Sequence, residues 1–174
     1  MKITLSLSLF CAILLGSTNF PALTGETLNG TSVTIPEDTS GKLTLVGMAY
    51  SKKSEGSLKS WFTPLYDKFI LKRGIFDADY DINLYFVPMF SGLKKAAYEG
   101  TLKKLKSSNR KDLFDNILFY KGDLEPYKTD LKLKEKETPY LFLLNQKGEI
   151  VFKTEGKFTE SKLEALEEAI SEHE

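Results

Sequence analysis

The run Leu43 to Tyr50 (LTLVGMAY) carries no charged residue, the pattern of a strand buried on both faces of a sheet. A polar stretch follows, and then Leu58, Trp61, Phe62, Leu65 and Phe69 recur at i, i+3, i+4, i+7 and i+11, one apolar face of a helix. Pro64 sits within that helix and predicts a kink, and Gly74 predicts its end. A doubly buried strand leading into a helix that packs on it excludes an all-α or all-β chain and predicts an α/β fold. The remaining punctuation agrees. Asn29-Gly30 marks a hairpin between Phe20 and Pro36, and Asp81 to Phe90 reads as a second apolar strand. Ser91 opens a helix to about Ser107, with Leu93, Ala97 and Leu105 inward and lysines outward. Ile117 to Tyr120 is a short apolar run before an irregular insert. Tyr140 to Leu144 and Glu149 to Thr154 form a hairpin through Asn145–Gly148, and Thr159 caps a last helix with Leu163, Leu166 and Ile170 on one face.

At 174 residues, with 41% hydrophobic and 12% aromatic residues, the chain holds one domain with a packed core. Its 24 basic and 24 acidic residues argue against nucleic-acid binding, which normally shows a basic excess. One histidine and one cysteine leave little for a metal site or a Cys–His nucleophile, so no metal or other cofactor is expected. Asp77 to Asp81 opens like a calcium loop, but Asn83, Leu84 and Pro88 break the pattern; these acids read as solvated turn residues.

Met1-Lys2 followed by the apolar run Ile3 to Leu15 and small residues at Gly16 and Ser17 fits a signal peptide over residues 1–19, with the folded domain at 20–174. The expected location is therefore secreted or periplasmic. The alternative is a membrane anchor, although a spanning helix needs ~20 apolar residues. Cleavage would remove Cys11, leaving a mature chain without cysteine.

The order of these elements resembles the thioredoxin-like superfamily in its AhpC/TSA and TlpA-type form, which has an N-terminal β-hairpin extension. The resemblance rests on Phe20 to Gly30, on Gly41-Lys42 before the strand Leu43 to Val46, on the Pro64-containing helix, and on Thr138-Pro139 ahead of Tyr140 to Leu144. It implies a three-layer α/β/α sandwich around a mixed central sheet, with a cis proline at Pro139. The segments LTLVG, Trp61-Phe62-Thr63-Pro64 and YLFLLNQKGEI with Gly156 are further similar to the mitochondrial ATP-synthase assembly-factor family, whose members are thioredoxin-like and often lack a catalytic cysteine pair.

In the thioredoxin-like family the first strand leads into Trp-Cys-x-x-Cys; here the matching stretch is Tyr50-Ser51-Lys52-Lys53-Ser54. Thiol–disulfide exchange needs a thiolate at the helix N-terminus and a second thiol to resolve the mixed disulfide. Serine supplies neither. A serine nucleophile needs an adjacent base, and His173 lies at the end of an acidic tail. Ser54 therefore reads as the helix cap, with Glu55 favourable in the first turn, although a helix N-terminus also suits an anion.

These readings predict a non-enzymatic, non-redox protein that acts by binding another protein, as an assembly factor or chaperone for a membrane-associated complex. Its binding surface would be Tyr50, Ser51, Lys52, Lys53, Ser54, Trp61, Thr138 and Pro139. The alternatives are an enzyme or small-ligand protein using a non-thiol site at the same place, a divergent oxidoreductase or peroxiredoxin relative that has lost activity, and an envelope-linked structural role.

Overall fold

The computed structural model describes residues 18–71, 80–92, 98–107 and 111–174. The signal-peptide reading of residues 1–17, Gly74 as a helix end, the Asp77–Asp79 turn and the first part of the helix after Ser91 lie outside them.

Among the described residues, eight strands and four α-helices follow in chain order. They are β1 Thr18–Asn19, β2 Leu23–Thr27, β3 Ser32–Ile35, β4 Leu43–Ala49, α1 Lys52–Leu65, β5 Ile82–Phe90, α2 Tyr98–Lys106, β6 Leu118–Lys121, α3 Glu125–Asp130, β7 Tyr140–Leu144, β8 Glu149–Glu155 and α4 Glu160–His173. The strands form one mixed sheet in the order β1-β8-β7-β4-β5-β6-β2-β3. The central pairs β4·β5 and β5·β6 are parallel, and the pairs on either side of them are antiparallel.

Period-two alternation divides the core between the two faces of the sheet. Leu43, Leu45 and Ala49 of β4, with Leu141 and Leu143 of β7, meet Leu58, Trp61 and Leu65 of α1 and Leu166 and Ile170 of α4. Val46, Met48, Tyr140, Phe142 and Leu144 face the other way, against Phe20, Leu124, Tyr127, Leu131 and Leu133. This second layer is thin: one short helix, α3, and the chain after it. A third cluster joins α2 to the β5–β6 side, where Phe90 and Phe119 stack and Tyr98 meets both edge-on, with ring centroids 5.5–5.7 Å apart.

The hairpins expected at Asn29-Gly30 and Asn145–Gly148 are both present. Around Pro64 the helix does not break. It continues as a π-helical turn, Tyr66–Ile70, widening directly after the residue that lacks an amide donor. The insert after β6, expected to be irregular, contains α3. The cis proline falls elsewhere than the resemblance implied. Among the described residues the cis peptide bond is Ile35–Pro36, not Thr138–Pro139. Thr138 closes a turn on the Glu135 carbonyl at 3.3 Å, and the trans peptide carries that turn straight into β7, where the Pro139 carbonyl accepts from Gly156 N at 2.9 Å.

β3 ends the sheet on one side. The Thr34 amide, which points away from β2, donates to the Asp38 carboxylate at 2.7 Å. Among the described residues no helix is long and apolar enough to cross a membrane.

Candidate functional site

Antiparallel pairing of Met48 with Tyr140 sends the chain after β4 and the chain before β7 to the same end of the sheet. Tyr50 to Ser54 and Thr138-Pro139 therefore share one end of the sheet. The Lys53 ammonium and the Glu137 carboxylate close the gap with an exposed ion pair.

At the start of α1, Ser51 is the N-cap, correcting the expectation that Ser54 held that place. Ser51 is extended (φ −139°, ψ 157°), and Ser54 is the third residue of the helix. The two serines make a reciprocal capping box. Ser51 Oγ accepts from Ser54 N at 3.0 Å, and Ser54 Oγ accepts from Ser51 N at 2.9 Å. Ser51 Oγ also donates to Ser54 Oγ at 3.0 Å, and Ser54 Oγ donates to the Ser51 carbonyl at 3.0 Å. Ser54 is fully buried and Ser51 is 7% exposed. The acceptors of the two hydroxyls are thus a hydroxyl and a backbone carbonyl, not a basic side chain.

The other predicted site residues divide by burial. Lys52 and Lys53 are exposed and Thr138 is half-buried, so these three present side chains to solvent. Tyr50 and Pro139 are buried. Trp61 is fully buried; its Nε1 donates to the Gly156 carbonyl at 2.9 Å, and its ring packs edge-on against Phe158 with centroids 5.3 Å apart. It belongs to the core and offers no contact surface.

Burial pushes the Tyr50 phenol up to about 12, with Tyr140 and then Glu135 adding to the shift. Tyr140 is also raised, chiefly by burial, although its oxygen accepts from Glu135 N at 2.7 Å. Lys153 donates to the Leu131 carbonyl at 2.9 Å and lies over the Tyr140 ring. Burial lowers its pKa; Glu155 opposes that, and Lys132 and Lys134 add to it.

Sequence reasoning missed a cleft beside this end of the sheet. Tyr50, Ser91, Leu124, Lys128, Leu133, Lys134 and Lys136 line a volume of about 460 Å³. The three lysines come from α3 and the irregular chain after it; the alternation Leu131-Lys132-Leu133-Lys134-Glu135-Lys136, with its leucines buried and its lysines exposed, is the signal that could have found two of them. Among the described residues no group of three or more His, Cys, Asp or Glu side chains is placed to hold a metal ion.

The mixed sheet, the helix springing from the end of β4 and the hairpin-plus-helix ending define a thioredoxin-like domain, and solved structures bear this out. A protein described as a thiol:disulfide interchange protein DsbE from Chlorobium tepidum superposes with a TM-score of 0.57 at 16% identity, over 90% of this chain and 96% of its own. BsSco, a member of the Sco family of cytochrome c oxidase assembly proteins, gives 0.58 at 14% identity, over 89% and 95%. The C-terminal domain of a protein described as a thiol-disulfide oxidoreductase from Bacteroides thetaiotaomicron gives 0.56 at 17%, over 90% and 96%. At these identities the likeness is one of fold. The chain belongs to the ATP10 protein family, whose model matches residues 16–172. No curated protein matches it in sequence.

Proposed function

We propose that this protein is a non-redox assembly factor that binds a protein segment of a membrane-associated complex at the end of the sheet built by Tyr50–Ser54 and Glu137–Pro139. Family membership supports the assembly role. The observation that carries the non-redox part is the closed pair of serine hydroxyls at the helix N-terminus, where thiol exchange would need a thiolate and a resolving thiol. The chain's one cysteine, Cys11, lies in the N-terminal segment read as a signal peptide, so the mature protein would act outside the cytoplasm without any thiol.

Photocrosslinking in the native cell tests this. A photoreactive residue at Lys52 should give discrete, reproducible adducts in membrane fractions. The same probe at Lys147, in the β7–β8 hairpin at the opposite end of the sheet, should give none. Equal labelling at both positions, or no adduct at Lys52, would sink the reading.

A further inference from the structure

We infer that the cleft beside the serine pair takes an extended acidic segment of the partner, alternating carboxylate and apolar side chains. The inference rests on the binding-protein reading above and names the chemistry of what is bound. The cleft has two unlike walls. Tyr50, Leu124 and Leu133 supply an apolar floor continuous with the core, and Lys128, Lys134 and Lys136 supply a cationic rim.

The local carboxylates pair one of the three rim lysines and leave two. Glu125 holds Lys128 at 2.7 Å, and Glu137 holds Lys53 on α1. Glu135 stands near the Tyr50 and Tyr140 phenols. Among the described residues neither Lys134 nor Lys136 forms an ion pair.

Shape favours a peptide. The volume, about 460 Å³, leaves room for side chains, and the spacing of the lysines sets their pattern. Lys134 and Lys136 lie two residues apart in chain without regular structure, and both line the cleft. An extended peptide places side chains i and i+2 on one side, roughly 7 Å apart, and i+1 on the other. Two acids would then face the lysines while the residue between them enters the apolar floor.

Fluorescence anisotropy on the full chain with a labelled Gly-Asp-Leu-Asp-Gly peptide is the test. Lys134→Glu/Lys136→Glu should weaken binding at least tenfold. Lys103→Glu/Lys106→Glu, the same charge change on α2, should change it less than twofold. Replacing the peptide's Leu by Ser should also weaken binding, and succinate at equal concentration should not compete. Equal loss in both double variants, no loss in the first, indifference to the Leu, or full competition by succinate would overturn the assignment. Crosslinking from Lys52 in the Lys134→Glu/Lys136→Glu chain separates the two readings. Adducts at wild-type yield would reject the cleft and leave the assembly role standing, whereas a wild-type chain that yields none rejects the assembly role while the peptide assay still judges the cleft.

Discussion

Ser51 and Ser54 make four hydrogen bonds between them, all within one helical turn. Their oxygens stand 3.0 Å apart, at the spacing and on the helix end where a cysteine pair would be oxidised. The turn has the i, i+3 spacing of a Cys-x-x-Cys pair with oxygen at each γ position. In a Cys11→Ser background, Ser51→Cys/Ser54→Cys should therefore form an intramolecular disulfide in air. Alkylation and mass spectrometry should find no free thiol until a reductant is added, and two thereafter. Two thiols that stay free under oxidising conditions would show that the scaffold around the turn no longer permits the bond. Sequence indicated the serines and their spacing but assigned the cap to the wrong one. Ser51 and Ser54 are both competent caps, and only the backbone, extended at 51 and helical from 52, separates them.

At the scale of elements, legibility followed length and burial. β4 and β7 are buried along their whole length, and their charge-free, largely apolar runs announce them. α3 went unseen because six residues make fewer than two turns, too short for an apolar period to register. The lysine cleft stayed hidden for a related reason: its residues converge from α3, an irregular segment and two strand ends. The β7–β8 hairpin was easy to read, yet its tertiary contact was not. Gly148 has φ +82°, and a Cβ there would lie 2.6 Å from the Pro36 ring. Gly148→Ala should destabilise the fold by about 1–3 kcal/mol through backbone strain, with the Pro36 clash adding to it. A lowered urea midpoint with unchanged slope would show it, and a midpoint equal to wild type would refute the packing.

Across the whole molecule, five tyrosines sit where burial, the largest cause in each case, disfavours the phenolate: Tyr50, Tyr85, Tyr98, Tyr127 and Tyr140. Their folded pKa values lie above the unfolded value near 10, so their contribution to stability is complete below about pH 10. As pH rises further the unfolded chain loses phenolic protons that the fold retains, in Tyr50 up to about 12. Urea midpoints should therefore hold to about pH 10 and decline toward pH 12, and Tyr50→Phe should shallow the decline. A flat profile to about pH 11.5 would contradict this.

Asp38 has a consequence for the protein in company. The last strand of an open sheet is a template on which a neighbouring chain can add its own, and short edges or edge charges discourage that growth. Here the Thr34 amide at the β3 margin is already occupied by a carboxylate from four residues on, which also sets a negative charge along the rim. With that amide taken and a carboxylate beside it, the β3 margin offers a neighbouring strand one ladder donor fewer and a charge to bury, so edge-to-edge growth is disfavoured there.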